Sequence, residues 1–110
     1  MSVIVNIYYR GRNGAARAFA EEMIASGTVD RIRAEEGNER YEYFLPMSDP
    51  ETVLLIDRWR DEAAIDAHHA SPMMPVIARL REKYDLRMTI EKFVEAPDTD
   101  VAKDSRFIRK

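Results

Sequence analysis

The feature that most constrains this chain is the order in which its hydrophobic spacing changes between a period of two and a period of about 3.6 residues. Period-two or β-branched and aromatic stretches predict strands at residues 3–9, 41–45, 52–60 and 86–94. Helical spacing separates the first strand from the second, and the third from the fourth. The resulting order, β-α-β-β-α-β, predicts a ferredoxin-like α+β fold in which helices cover one face of a four-stranded antiparallel sheet.

The first helical segment has an apolar stripe that begins after a candidate N-cap, Asn13, and ends near Gly27. The stripe consists of Ala16, Phe19, Ala20, Met23 and Ile24. A shorter helical piece is predicted over residues 28–36, where Val29 and Ile32 would anchor it. Both pieces are therefore expected to turn an apolar side toward the sheet.

The second helical region contains two separate start signals. Asp61 is in position to cap a helix over residues 62–70. Ser71 and Pro72 then start the chain again, with the serine as N-cap and the proline at the first helical position, and this helix continues to about Tyr84. The region is therefore predicted as two consecutive helices.

The sheet face that the helices leave open is also predicted to be apolar. Along the first strand, alternation places one set of side chains on each face, and both sets are largely apolar. The two sets are Val3, Val5 and Ile7, and Ile4, Asn6 and Tyr8. Because such a face is too large a patch for a stable monomer, we expect a homodimer whose sheets pack face to face as a dimeric α/β barrel.

The charge balance argues against a nucleic-acid partner. The 110 residues include 20 Asp and Glu and 17 Lys and Arg, a formal net charge of −3, whereas nucleic-acid binders usually concentrate basic residues on one face. The basic cluster lies in a polar, aperiodic tail over residues 97–110, distinct from a single domain over residues 1–96. We expect Phe107 and Ile108 of this tail to dock on the partner subunit.

Several common features are missing from the sequence. The longest aliphatic run, residues 53–56, is far too short to cross a bilayer. The N-terminus lacks the basic and then apolar pattern of a signal peptide, so a cytoplasmic location is expected. The absence of cysteine excludes disulfides and thiol catalysis, and no Gly-rich dinucleotide motif or P-loop indicates a cofactor.

The two histidines, His68 and His69, are adjacent, and histidine is the side chain whose ordinary pKa lies near neutrality. His68 shares a helix side with Ala64 and Ile65, so it is predicted to line a cavity as a general base or a donor to a substrate oxygen. A helix-end histidine bonded only to backbone is the alternative. His69 is turned by about 100° and is predicted to lie outside the pocket, a divergence that argues against a shared metal.

Five further side chains are candidates for contact with a substrate, and each has a structural alternative. Asn6 is an amide within an apolar strand, so it faces either a ligand or water, or bonds to backbone. Trp59 would stack on an aromatic ligand or belong to the core. Tyr41, Tyr43 and Met73 would line a pocket for a planar substrate or simply pack against neighbouring side chains.

Two segments resemble the antibiotic biosynthesis monooxygenase family, which includes quinol monooxygenases. One is the glycine turn leading into an aromatic strand, residues 35–41. The other spans residues 59–72, where an aromatic residue, an acidic cap, alanine and histidine precede Ser-Pro. The likeness extends over about residues 3–94. It implies a dimer that needs neither cofactor nor metal and that deprotonates an electron-rich phenol or quinol, whose anion then reacts with oxygen.

The resemblance also assigns roles to single residues. His68 matches the helix histidine of the family, whereas Met73 stands near the place where many members carry a second histidine. Asn6 and Trp59 would orient the substrate. Asn6 also has a counterpart in the heme-degrading branch, but the heme-ligating histidine of that branch falls near Ala78 here, so heme degradation is not expected.

Three functions are therefore compatible with the sequence. The first is a cofactor-independent monooxygenase acting on a small aromatic or quinol-like substrate. The second is an isomerase-type enzyme that transfers a proton on a small carbonyl compound, and the third is a non-catalytic, ligand-binding dimeric module. A requirement for dissolved oxygen separates the first function from the second.

Overall fold

The computed structural model describes the backbone of the chain and the side chains of residues 1–99 and 102–110. The strands are β1 (Val3–Arg10), β2 (Asn38–Phe44), β3 (Thr52–Trp59) and β4 (Arg87–Val94). The helices are α1 (Ala15–Ala25), α2 (Thr28–Arg33), α3 (Glu62–His69), α4 (Met73–Lys83) and α5 (Asp98–Ala102), followed by a 3₁₀ helix at Ser105–Phe107. None of the helices in the described part of the chain has the length and apolar composition needed to cross a membrane.

The four strands form one antiparallel sheet in the order β2-β3-β1-β4. In the centre of the sheet, Val5 of β1 lies opposite Asp57 of β3 on one side and opposite Lys92 of β4 on the other. Residues directly opposite in antiparallel strands share a face, so this row belongs to a single face. The ferredoxin-like fold that the sequence predicts is confirmed.

The helices cover one face of this sheet and form the core with it. Phe19 of α1 is fully buried, and its ring centroid lies 4.8 Å from that of Tyr9 in β1. Burial of such a side chain contributes roughly 1.5–3 kcal/mol. The predicted stripe is wrong at Ile24, which is 55% exposed. Consecutive helical residues diverge by about 100°, so Ile24 turns away from the sheet while the other four residues of the stripe, including Met23, are buried.

The start of α1 also differs from the prediction, because the side chain that accepts hydrogen bonds from its first amides comes from another part of the chain. The capping residue is Gly14, with φ 78°, and not Asn13. The backbone N–H groups of Asn13 and Gly14 donate to the Glu51 carboxylate at 2.6 and 3.0 Å. A negative charge at this end of a helix is favourable because the helix dipole is positive there.

The break between α3 and α4 follows the predicted signals closely. The Asp61 carboxylate accepts a hydrogen bond from the Ala64 N–H at 2.9 Å, so Asp61 caps α3 as predicted. Helix α4 begins at Met73 and its N-cap residue is Pro72, so the predicted serine N-cap and the predicted proline within the helix are each displaced by one position. The Ser71 hydroxyl accepts from the Met73 N–H at 3.3 Å, which satisfies one of the free amides of the first turn.

The turn before β2 brings the chain close to α3 through a glycine. Gly37 has φ 84°, a conformation that glycine adopts readily, and its carbonyl accepts from the Arg60 N–H at 2.7 Å. A Cβ at this position would lie 2.6 Å from the Cβ of Ala64. The positive φ and the short distance to Ala64 therefore both require glycine at position 37. The turn also holds the nearby Glu35 beside α3.

The other face of the sheet is not covered by helices. Along β3, side chains alternate between buried positions on the helix side and half-buried positions on the open side. The apolar members of the open face are Ile4, Tyr8, Phe44, Leu54, Ile56 and Phe93. Asn6 lies among them, and its Oδ1 is buried without a hydrogen-bond partner in the described part of the chain. This open face therefore combines six apolar side chains with an unsatisfied amide, and the charged side chains Glu42, Arg58 and Glu91 lie on the same face.

The C-terminal tail extends away from the body of the domain. Residues 102–110 are exposed, and Phe107 and Ile108 expose 74% and 58% of their surface. The radius of gyration is 15.5 Å, compared with about 13 Å for a compact domain of this length. The docking of Phe107 and Ile108 on a partner subunit stays a prediction.

Candidate functional site

A cavity of about 210 Å³ lies between the sheet and the helices α3 and α4. Most of its wall is apolar and comes from Val5, Ile7, Ile65, Met74, Ile77, Met88 and Ile90. Its polar groups are Tyr41, Asp57, His68, His69, Arg81 and Lys92. An apolar cavity with a few converging polar groups is typical of a small-molecule site.

His68 is the buried histidine of this cavity, and it has a defined partner. It exposes 5% of its surface, and its Nδ1 lies 2.7 Å from Oε2 of Glu35. An ionised carboxylate can only accept a hydrogen bond, so Nδ1 carries the proton and the neutral ring keeps a free lone pair on Nε2. This is the arrangement of a histidine oriented as a general base.

Two opposing influences set the pKa of His68. Burial lowers this pKa below its ordinary value, because the imidazolium form loses solvation, while the hydrogen bond to Glu35 raises it. Burial has the larger effect, so the net pKa is lowered. His68 is consequently a neutral imidazole at pH 7, able to accept a proton.

Trp59 contacts His68 rather than the cavity. The two ring centroids are 4.7 Å apart with planes inclined by 31°, and Trp59 is 1% exposed. It is absent from the residues that line the cavity. Its placement supports packing against the catalytic candidate in preference to direct stacking on a substrate.

Asp57 is a buried carboxyl group in the wall of the same cavity. It is 7% exposed, and its Oδ1 has no hydrogen-bond partner in the described part of the chain. Burial raises the pKa of Asp57 to about 7, and the indole N–H of Trp59 opposes this shift. Near neutral pH the side chain therefore divides between a carboxylic acid and a carboxylate.

A cationic group lies at the α4 side of the cavity. The Arg81 guanidinium donates to the Tyr9 hydroxyl from Nε at 3.1 Å and from Nη2 at 2.8 Å. Burial raises the pKa of Tyr9, while the charge of Arg81 lowers it. Tyr9 is therefore a neutral phenol that fixes the direction of the guanidinium, and Arg81 gives this wall of the cavity a positive charge.

The two tyrosines of β2 occupy different surroundings. Tyr41 lines the cavity opposite Asp57 in the sheet, whereas Tyr43 lies next to Phe19 in the core. Their ring centroids are 5.9 Å apart and nearly perpendicular. Burial raises the pKa of both phenols, so both are neutral at pH 7. Of the pair, only Tyr41 is in contact with the cavity.

Three other candidates lie away from the positions that the sequence suggested. Asn6 is on the open face of the sheet, on the side opposite the cavity. Met73 packs against the core, and the next residue, Met74, lines the cavity instead. His69 is exposed, as its direction on the helix predicts, yet it also lines the cavity, with its ring centroid 5.9 Å from that of His68. The prediction that His69 stays out of the pocket is therefore wrong, because its side chain reaches the rim.

Sequence reasoning missed four polar groups of this site: Asp57, Glu35, Arg81 and Lys92. Asp57 carried a usable signal, since it alternates in phase with the buried Leu55 and Trp59 and is therefore a carboxylate on a core-facing position. Glu35 and Arg81 gave no such signal, because their roles depend on how the turn before β2 and helix α4 pack. Among the described side chains, no group of three His, Asp or Glu residues is close enough to hold a metal ion.

The model of a protein family described as "Antibiotic biosynthesis monooxygenase" matches residues 2–79 of this chain. A curated protein from Bacillus subtilis (strain 168), named "Putative monooxygenase YcnE", is 30% identical over 67 residues. That match covers 61% of this chain and 68% of the relative. The residues matched by the family model include β1, β3, α3 and most of the cavity wall.

Solved structures share the fold. PA3566 from Pseudomonas aeruginosa is similar with a TM-score of 0.74 at 24% identity, over 87% of this chain and 95% of that chain. SnoaB from Streptomyces nogalater, a cofactor-independent oxygenase, is similar with a TM-score of 0.72 at 14% identity, over 87% of this chain and 94% of that chain. At these identities the likeness establishes a common architecture.

Proposed function

Because the chain belongs to the antibiotic biosynthesis monooxygenase family, we propose that it is a cofactor-independent monooxygenase acting on a small aromatic or quinol-like compound in the cavity beside His68. The observation that carries the proposal is the buried His68–Glu35 pair, with Nδ1 held at 2.7 Å. A neutral imidazole fixed in this tautomer is suited to removing a phenolic proton. The apolar wall suits the flat rings of such a compound.

The proposed reaction needs no external reductant. His68 takes a proton from a bound quinol, and the resulting anion adds dioxygen at the neighbouring ring carbon to give a hydroperoxide. Loss of water from this hydroperoxide leaves a hydroxyquinone, so one oxygen atom enters the product and the other leaves as water. The substrate is oxidised, dioxygen is reduced, and the protein contributes proton transfer and positioning.

The size of the cavity supports a compact substrate. Its volume of about 210 Å³ lies below the roughly 300–1,000 Å³ that is usual for drug-sized ligands. We therefore propose a ligand of one or two fused rings. Arg81 at the cavity wall favours a substrate whose deprotonated oxygen carries the negative charge, whereas the ammonium group of Lys92 is paired with the Glu62 carboxylate.

Oxygen consumption with 1,4-dihydroxynaphthalene tests this proposal directly. We expect the protein to accelerate oxygen uptake above the buffer blank and to produce 2-hydroxy-1,4-naphthoquinone containing one atom from ¹⁸O₂. The variant His68→Ala should return the rate toward the blank, while His69→Ala serves as the matched neighbour. Formation of unlabelled naphthoquinone with hydrogen peroxide would contradict oxygen insertion.

The same proton-transfer pair also suits an isomerase, and oxygen separates the two functions. Under argon, an isomerase would still exchange the acidic protons of a small carbonyl compound with deuterated solvent in a His68-dependent way. The proposed monooxygenase should show no product formation without oxygen. A protein that binds such compounds but turns over none of them in either atmosphere would be a ligand-binding module.

We also propose that the active form is a homodimer formed through the open sheet face. Support comes from the six apolar side chains of that face and from the unpartnered amide oxygen of Asn6. A second copy would remove the apolar groups from water and offer the amide a partner. Light scattering at micromolar concentration should return twice the chain mass of 12.8 kDa.

A further inference from the structure

The cavity contains a second ionisable group that the proposed mechanism does not use. Asp57 lies on β3, and the direction of its side chain follows from the alternation that buries Leu55 and Trp59 on the same face. Its Oδ1 is buried without a hydrogen-bond partner, and it forms no ion pair with any described side chain. An unsatisfied buried polar atom costs on the order of 1–3 kcal/mol. Because Asp57 also lines the cavity, a bound ligand is in a position to supply a partner for its carboxyl group.

We propose that Asp57 is a further catalytic residue of this site, which in its carboxylic-acid form donates a hydrogen bond to a carbonyl or quinone oxygen of the bound compound. This role rests on the proposed function, and it identifies a carbonyl or quinone oxygen as the group that the protein recognises. His68 accepts a proton from the substrate, and Asp57 offers one. Such a donor stabilises the negative charge that develops on a carbonyl oxygen when a neighbouring proton leaves.

The charged and titratable groups around Asp57 are consistent with a protonated side chain. From the facing and adjacent elements these groups are Tyr9, Glu35, Tyr41, Tyr43, His68, His69, Arg81 and Lys92. The negative charge of Glu35 favours the acid form of Asp57, and the positive charge of Arg81 opposes it. Desolvation exceeds both influences and raises the pKa of Asp57 to about 7. A neutral carboxylic acid is thus available at and below neutral pH.

Binding of menadione, a quinone without an ionisable group, tests the proposal without requiring turnover. The chain has one tryptophan, Trp59, whose proximity to the cavity makes its fluorescence a reporter. We expect the Kd to rise roughly three- to tenfold as the pH increases from 5.5 to 8.5 and Asp57 loses its proton, as befits the loss of one hydrogen bond. The midpoint should lie near pH 7.

Variants assign this pH dependence to one group. Asp57→Asn keeps a donor and cannot ionise, so it should bind menadione with a flat pH profile near the affinity of the acid form. Asp57→Leu should bind weakly at every pH. His68→Gln should retain the slope of the wild type, and Asp66→Asn, an exposed aspartate on α3, should behave as the wild type.

Carbon-13 NMR of labelled aspartate gives an independent reading, since the Asp57 carboxyl signal is the one that Asp57→Asn removes. A midpoint near pH 7 supports the proposal, and a midpoint near pH 4 overturns it. The proposal is also overturned by absence of menadione binding, by a flat wild-type profile, or by a slope that persists in Asp57→Asn. Binding with the expected pH profile but without oxygen insertion would contradict the monooxygenase function alone.

Discussion

Each face of the sheet carries a polar side chain with a buried oxygen that has no hydrogen-bond partner in the described part of the chain, but the two side chains have different surroundings. On the helix-covered face, the carboxyl of Asp57 opens into a cavity that also contains His68, Tyr41 and Arg81. On the open face, the amide of Asn6 lies between Ile56 of β3 and Glu91 of β4, and its Oδ1 has no hydrogen-bond partner in the described part of the chain. Under the proposed function, the covered face receives a small molecule and the open face receives a second copy of the chain, so that the same strands would serve both chemistry and assembly.

The largest effect should come from the covered face. Replacing His68 with alanine is expected to lower turnover by roughly 10²–10⁴-fold, the range for loss of a general base. The equivalent change at His69, which lies exposed at the rim, should cost less than about tenfold. Steady-state oxygen uptake measures both, with circular dichroism to check folding. Equal losses would show that both rings act on the substrate and would remove the distinction between them.

A stability measurement sharpens the role of Asp57. The pKa of Asp57 in the folded state is about 7, above the ordinary value of 3.8, so its favourable contribution is present below about pH 4 and is lost as the pH rises to 7. At pH 4, the free energy of unfolding of Asp57→Asn should therefore be similar to that of the wild type. At pH 8, the variant should be more stable than the wild type by about 2–4 kcal/mol. Urea unfolding at both pH values, at equal protein concentration, tests this expectation.

The opposite result would show that Asp57 does not titrate near neutral pH. If the advantage of Asp57→Asn is the same at pH 4 and pH 8, the carboxyl does not titrate in the folded protein near neutrality. His68 cannot imitate the expected pattern, because it is present in both proteins and its lowered pKa makes stability fall on acidification below its unfolded value of about 6.5.

A charge on the open face should break assembly and spare the cavity. Ile56→Arg places a cation beside Asn6 in the middle of the apolar patch, and should weaken dimerisation by roughly 100-fold because the charge would be buried between the sheets. Ile24→Arg is the matched control, since Ile24 is exposed on α1. Sedimentation velocity distinguishes the two. A stable dimer in Ile56→Arg would place the interface elsewhere.

The smallest effect is expected from the tail. Truncation after Glu95 should lower dimer affinity by about tenfold, because it removes two apolar side chains worth up to 1.5–3 kcal/mol each when fully buried. The double change Phe107→Ser and Ile108→Ser in the full chain separates these side chains from the rest of the tail. If neither alteration changes the dimer dissociation constant, the tail has no part in assembly.

The sequence predicted what depends on local spacing and failed where distant segments meet. Alternation and helical periodicity were enough to predict the order of strands and helices along the chain, the burial of His68 and the Asp61 cap. Each of these features depends on neighbours within a few residues. The cap of α1 by Glu51 and the pairing of His68 with Glu35 join residues 37 and 33 positions apart. Such contacts are set by tertiary packing, which spacing along one element does not encode.

Asn6 and Trp59 show a different limit of the sequence. Their polarity and size marked them correctly as unusual, but strand alternation alone does not reveal which face carries the ligand. Once the helices are placed, Asn6 falls on the open face and Trp59 behind the His68 ring. The prediction therefore found residues of interest more reliably than it found their partners.

The glycine turn before β2 has a consequence for how this chain tolerates change in evolution. Gly37 touches no substrate, yet a side chain there would collide with Ala64 and disturb the approach of Glu35 to His68. In a library of random variants selected for activity, position 37 should be purged of substitutions nearly as strictly as position 68. Selection would thus preserve Gly37, which takes no part in the chemistry, because this glycine fixes the distance between Glu35 and His68.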